Sequence, residues 1–345
     1  MLKSLFDEQK LSPVNSNFRF GGGERKNDEW GGLSFHNKEH DISVPRVEKK
    51  AGVSAKQGSD CSLAFKKPQC VRQQDRQEQQ QGSGSKEGMA GHQCGSVLVT
   101  GANRGIGLEL VKRFLGKPNP PKTVFATCRD PEGARGQELK SLTSKHPNLK
   151  ILQLETTDPA SVEAAAKKAE AHLGGSGLNL LINNAGIMPP CTLESATSKD
   201  MLDVYNTNLV GPMLVSKAFL PLLKKAAHAS QQKGMSCGRA AIINMSTILG
   251  SIEKTPESYF FIPVVSYRCS KTALNMLTKC QSMGYKEEGI LCTAVHPGWV
   301  KTELGSDQAD LTVEESVNGI MNVLCNLSEK QHGVLVTWEG KVLPW

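Results

Sequence analysis

Ser-Val-Leu-Val-Thr-Gly-Ala-Asn-Arg-Gly-Ile-Gly (96–107) runs from an apolar stretch into three glycines, and then into the helical run Leu108 to Leu115. The apolar residues read as a buried strand. The spacing Gly101-x3-Gly105-x-Gly107 permits a tight turn and lets backbone N–H groups approach a pyrophosphate at a helix N-terminus. It departs from the common G-x-G-x-x-G form. A glycine cluster alone is often only a turn, so the surrounding pattern decides its meaning.

That pattern repeats along the chain. Further strands are expected near Thr123–Thr127, Lys150–Leu154, Leu178–Ile182, Ala240–Met245, Ile290–Val295 and Val334–Thr337. Helices are expected near Pro131–Ser144, after the cap Asp158 with Pro159 at its first position, over Lys199–Ala227, from Tyr267 onward and over Thr312–Cys325. Most strands are apolar without clean alternation, the mark of a parallel sheet covered on both faces. We expect an α/β chain with a single Rossmann-type doubly wound domain over residues 92–345. Its sheet should be seven-stranded and parallel, with helices on both faces.

Residues 1–91 differ. They hold Gly21-Gly22-Gly23, a Gln-rich run from Gln73 to Gln81, scattered charges and no sustained apolar periodicity. Such a segment buries too little apolar area to offset the entropy of ordering, and reads as a disordered N-terminal extension. An interaction module is the alternative for it.

Composition narrows the functional classes. The ten cysteines include no C-x-x-C pair, and no secretory signal precedes them, so they read as reduced thiols of a cytoplasmic protein. The net charge of +7 is spread without a run of five basic residues, so no nucleic-acid partner is expected. No apolar run approaches the ~18 residues of a spanning helix, so no membrane span is expected.

The chemistry points to Tyr267-Arg268-Cys269-Ser270-Lys271. On a helix, positions i and i+4 share a face, so the phenol and the ammonium can enter one pocket. Of the four tyrosines, at 205, 259, 267 and 285, only Tyr267 has a lysine four positions on. Cys269, two positions from Tyr267, should face away. At the end of the second strand, Cys128 stands where selectivity for an unphosphorylated ribose would place an acid, and Arg129 follows it. Asp130 comes one position too late and can instead cap the next helix. Arg104 adds a second cation inside the glycine loop. Two guanidinium groups suit a ribose 2′-phosphate, so NADP(H) is expected over NAD(H). The plain alternative is that Arg129 is a solvated surface residue.

Four segments occur in order: Thr100-Gly101-Ala102-Asn103-Arg104-Gly105-Ile106-Gly107, Asn183-Asn184-Ala185-Gly186, Tyr267-x3-Lys271 and Pro297-Gly298. Together they resemble the short-chain dehydrogenase/reductase family, over about 95–345. The finer pattern resembles its C-factor-like and sniffer-like carbonyl reductases. It comprises Tyr267-Arg268-x-Ser270-Lys271, His296-Pro297-Gly298-Trp299-Val300-x-Thr302 and the closing Leu343-Pro344-Trp345.

The resemblance implies a catalytic tetrad of Asn, Ser, Tyr and Lys. Tyr267 and Lys271 match directly. Asn208 matches the relay asparagine, which would hold a water that feeds protons to Lys271. The serine position falls on Thr247, a departure, with Ser246 beside it as the other candidate for orienting the substrate oxygen. The resemblance also implies cofactor contacts from Gly101, Asn103, Arg104, Gly105, Ile106, Gly107, Arg129, Glu155, Asn183, Ala185, Gly186, Tyr267, Lys271, Pro297, Gly298, Val300 and Thr302. No metal is required. Asn183 and Asn184 alternatively make a purely structural turn, and His296 is expected to pack rather than act as a base.

The implied function is NADPH-dependent reduction of a small-molecule carbonyl (aldehyde, ketone or quinone), with Tyr267 as acid/base. A cofactor-binding regulatory or signalling protein with little catalysis is the alternative, motivated by Thr247 and by the loop before Tyr267. That loop, which holds Tyr259-Phe260-Phe261, is longer than is usual in the family. Its aromatics either shape the substrate pocket or anchor the loop to the core. Homodimer and monomer both remain open.

Overall fold

The computed structural model describes residues 94–345, so the expectation for residues 1–91 lies outside the described residues. Strand β1 (Ser96–Thr100) is buried at every position and has neighbours on both sides. After it come α1 (Gly105–Leu115), β2 (Thr123–Cys128), α2 (Gln137–Thr143), β3 (Leu149–Gln153), α3 (Pro159–Leu173) and β4 (Leu180–Asn183). The second half adds α4 (Ser198–Tyr205), α5 (Gly211–Ala229), β5 (Ala241–Met245), α6 (Thr255–Ser258) and α7 (Val265–Gly284). It closes with β6 (Leu291–His296), α8 (Val313–Asn326), β7 (Leu335–Thr337) and β8 (Val342–Leu343).

The sheet order is β3-β2-β1-β4-β5-β6-β7-β8. Seven strands are parallel, as the apolar runs predict. The eighth, β8, pairs antiparallel with β7 and corrects the expected seven-stranded sheet. It is two residues long, too short to carry a periodic signal, and returns through a turn at Gly340 (φ 89°).

Side-chain alternation builds two cores. Val97 and Val99 of β1 pack with Leu110 of α1 and Ile320 of α8 on one face. Leu98 packs with Val162 of α3 and Phe219 of α5 on the other. Helices on both faces force the register, because a one-residue slip would exchange the two sets. Strand order reverses between β1 and β4, which opens a crevice at the carboxyl ends of those strands.

The expected continuous helix over 199–227 is interrupted. Asn206–Val210 form a π-helical turn, in which Gly211 N–H bonds Asn206 O. Pro212 follows and lacks the N–H that an α-helix would direct to the Asn208 carbonyl. Single π turns of this kind recur at functional sites.

Candidate active site

A cleft of about 790 Å³ opens at the carboxyl ends of the strands, from the glycine loop to Tyr267. Gly101 adopts φ 63°, and a side chain there would press on the Ala185 backbone. Any side chain at Gly107 would overlap the Gly101 carbonyl oxygen and the Asn184 amide. The glycines therefore bring the β1–α1 turn against the β4 segment, and the start of α1 faces the cleft.

Thr100 Oγ1 accepts the Asn184 and Ala185 N–H groups at 2.9 and 3.1 Å. Asn184 Nδ2 donates to Thr100 O and Gly101 O at 2.9 and 3.1 Å. Asn184 thus stitches the two segments and lines the cleft. Asn183 points into the sheet instead, where its Nδ2 donates to Ser216 Oγ and Asn244 Oδ1 at 3.1 and 2.9 Å.

At the far end α7 presents Tyr267 and Lys271, only 7% and 4% exposed. Gly250 lets the turn after β5 press directly on the Lys271 backbone. Burial pushes the Tyr267 phenol up and pulls the Lys271 ammonium down to about 8. Lys271 Nζ donates to Met245 O at 2.7 Å.

Asn208 is fully buried behind them. Its Oδ1 accepts Ile187 N–H, while its Nδ2 donates to Ile187 O and Ser270 Oγ, all within 3.0 Å. The π turn is therefore tied to a residue that lines the cleft.

The two candidate hydroxyls have different partners. Asn275 Nδ2 donates to Gly250 O at 3.1 Å, which turns Asn275 Oδ1 toward Ser246. Ser246 Oγ must then donate to it, at 2.6 Å. Thr247 Oγ1 accepts Leu249 N–H at 3.2 Å and keeps its own proton uncommitted.

The opposite end is cationic. Arg104, Arg129 and Arg135 all line it. Burial and then the neighbouring Arg135 and Arg129 lower the pKa of Arg104. Arg104 pairs with Glu303; Arg135 reaches the same carboxylate at 3.4 Å, and Arg129 lies 3.7 Å from Glu155. Asp130 accepts the Glu132 and Gly133 N–H groups, and this turn precedes the short 3₁₀ turn that carries Arg135.

Most sequence-predicted residues thus meet in one cleft: Gly101, Asn103, Arg104, Gly105, Ile106, Gly107, Arg129, Glu155, Ala185, Gly186, Ser246, Tyr267, Lys271, Pro297 and Thr302. Five do not line it: Asn183, Asn208, Thr247, Gly298 and Val300. Gly298 turns at φ 86°, and Val300 is buried, bridging to Leu311. Sequence reasoning missed Asn184, Arg135, Lys301 and Glu303, which do line it. Burial pulls His296 down to about 4, and its buried Nδ1 has no hydrogen-bond partner, in line with packing rather than base catalysis. Cys269 is exposed. Among the described residues, no helix is long and apolar enough to cross a membrane, and no cluster of three or more His, Cys, Asp or Glu could hold a metal ion.

Known proteins are similar to this chain in sequence and fold. The crystal structure of an NADPH-bound carbonyl reductase from chicken fatty liver is 58% identical, with a TM-score of 0.70 over 73% of this chain and 99% of its own. Carbonyl reductase Sniffer of D. melanogaster is 42% identical, with a TM-score of 0.69 over 73% of this chain and 100% of its own. The C-signal of Myxococcus xanthus is 30% identical across 49% of this chain and 93% of its own length. The family model described as short chain dehydrogenase matches residues 96–311, which contain the glycine loop, Asn184, Tyr267 and Lys271. With more than half its length matched, the chain belongs to the short-chain dehydrogenase/reductase family.

Proposed function

We propose that the protein is an NADP(H)-dependent oxidoreductase that reduces a carbonyl compound (aldehyde, ketone or quinone) to an alcohol. One observation carries this reading: a buried phenol–ammonium pair sits at one end of a cleft whose other end holds three guanidinium groups. The chicken relative, which holds NADPH, supports the same assignment.

The glycine loop and the amide face of Ala185–Gly186 fit a pyrophosphate and its ribose. Arg104, Arg129 and Arg135 fit a 2′-phosphate, since charge-assisted bonds from guanidinium to phosphate are strong and directional. When bound, the cofactor would supply the hydride. Tyr267 gives its proton to the carbonyl oxygen as the alkoxide forms. Burial keeps the phenol protonated at neutral pH, the state that an acid needs. Lys271, beside it, steadies the phenolate left behind. Of the two hydroxyls, Ser246 lines the cleft but its O–H is held by Asn275, whereas Thr247, the next residue and outside that lining, has its O–H free to donate; the free donor favours Thr247 for orienting the substrate oxygen. Asn208 fixes the π turn against Ile187 and keeps the wall behind Lys271 in place.

The test is oxidation of NADPH in the presence of a panel of aldehydes, ketones and quinones, compared with Tyr267→Phe. Turnover should fall by about 10²–10⁴-fold in the variant while NADPH binding persists. NADPH binding without turnover of any carbonyl by the natural chain would overturn the proposal.

A further inference from the structure

Arg268 directly follows Tyr267 but serves a different neighbour. It is only 6% exposed, and among the described residues no carboxylate pairs with it. Its Nε donates to Ile262 O and its Nη2 to Ser258 Oγ, both at 3.0 Å. Its guanidinium carbon lies 5.7 Å from the Tyr259 ring centroid. A buried cation is costly without compensating hydrogen bonds, so a guanidinium here calls for a reason. All three partners belong to one stretch, 258–262, which starts at the last residue of α6 and continues as a loop into α7.

That loop ends in two aromatics that leave the core: Phe260 is 88% exposed and Phe261 79%. They therefore do not anchor the loop. Leu193, Ile252, Trp299 and Leu304 are also exposed. These six side chains stand on the loops that leave the carboxyl ends of β4, β5 and β6, the edge that carries Tyr267. Leu304 also lines the cleft itself. The other five stand outside that lining, on loops that leave the same edge of the sheet. Exposed apolar residues on the loops beside a polar cleft are a common way to bind the apolar part of a small molecule.

We propose that Arg268 is a positioning residue that holds the 258–262 loop so that Phe260 and Phe261 form one wall for a bulky apolar carbonyl substrate. The proposal rests on the carbonyl reductase reading above. A planar guanidinium suits the task because it fixes two hydrogen bonds in one plane while offering a face to an aromatic ring. Lysine reproduces the charge without that geometry.

Arg268→Met in the full chain tests it. For a bulky aryl ketone the KM should rise about tenfold. The kcat, the NADPH Kd and the KM for propanal should stay within about twofold, with Arg268→Lys giving only partial rescue. Chymotrypsin should also cut faster after Phe260 and Phe261 in the Arg268→Met protein. If that variant fails to fold, Ser258→Ala combined with Tyr259→Leu releases the same loop from its far end and should reproduce the KM split. Equal losses for the aryl ketone and propanal, a change in NADPH Kd, or no change in KM would each overturn the proposal. If the natural chain reduces no carbonyl, the functional reading falls. The positioning claim is then decided by proteolysis, and an unchanged cleavage rate removes it.

Discussion

The Lys271 ammonium lies 5.6 Å from the ring centroid of Tyr267 and spends one of its three hydrogens on the Met245 carbonyl. The pair is thus held by α7 on one side and by the end of β5 on the other. Burial moves the two groups in opposite directions, phenol up and ammonium down. Both shifts favour the neutral forms, as expected where water is excluded.

A pH profile follows from that opposition. In the proposed reduction Tyr267 is needed protonated, and burial keeps it so well above neutrality. The same proposal needs Lys271 charged, and burial lowers its pKa to about 8. The kcat/KM for the carbonyl should therefore be flat near neutrality and fall with a single alkaline limb near 8. Lys271→Arg, which stays charged, should move that limb to higher pH whatever its effect on the plateau. A limb that stays put in the arginine variant would assign the titration to another group.

The two hydroxyls after β5 give a second test. Thr247→Ala removes the free donor and should lower kcat about 10²-fold, as loss of one donor to a developing oxyanion does. Thr247→Ser keeps the hydroxyl and should stay within a few-fold of the natural chain. Ser246→Ala breaks the bond to Asn275 and should cost about 1 kcal/mol of stability, with a smaller loss of kcat. Steady-state kinetics beside denaturant unfolding separates the two, and the reverse pattern would make Ser246 the orienting group.

How far the sequence led depends on the range of each signal. The β1–glycine loop–α1 unit was legible because strand, turn and helix signals lie within twenty residues. Asn184 was passed over for Asn183, although alternation along β4 tells them apart. Ile182 faces the α1 and α8 core, so Asn183 faces the other side, toward Ser216. Arg135 carried no local signal, because a turn closed by Asp130 and a 3₁₀ turn bring it to the cleft. The break between α4 and α5 was hidden for a similar reason. Pro212 is its only local signal, and the bonds that tie the turn to the cleft come from Asn208 meeting Ile187, a contact between segments 21 residues apart.

Glu303 sets up a third prediction. Its carboxylate is shared by Arg104 and Arg135, two of the three cations assigned to the 2′-phosphate. An anionic ligand must compete with it. All three side chains are largely exposed, so each pair is worth at most about 1 kcal/mol and is screened by salt. Glu303→Gln should tighten NADPH binding by about two- to fivefold at low ionic strength, and the gain should vanish at high salt. Arg104→Ala and Arg135→Ala should weaken NADPH binding by ~10-fold or more and leave NADH binding nearly unchanged. Fluorescence titration reads all three. Weaker NADPH binding in Glu303→Gln would show that the carboxylate clasps the bound cofactor instead.

Two histidines predict acid sensitivity. His332 accepts the Cys292 N–H through Nδ1 at 3.1 Å and bonds Ser282 O through Nε2 at 2.7 Å. The first bond fixes the neutral tautomer, because a protonated Nδ1 would face a donor. Burial lowers the pKa of His332, and that of His296 from 6.5 to about 4. A histidine whose folded pKa is depressed binds fewer protons folded than unfolded. Its contribution is fully present above pH ~6.5 and is lost as pH falls toward the folded value. Between pH 6.5 and 5 His296 alone should account for about 2 kcal/mol of lost stability, at ~1.4 kcal/mol per pH unit. Denaturant unfolding at several pH values measures this directly. His296→Leu should flatten the slope, and His332→Gln should flatten it further from a lower starting stability. An equally steep slope in the double variant would move the acid sensitivity to the carboxylates.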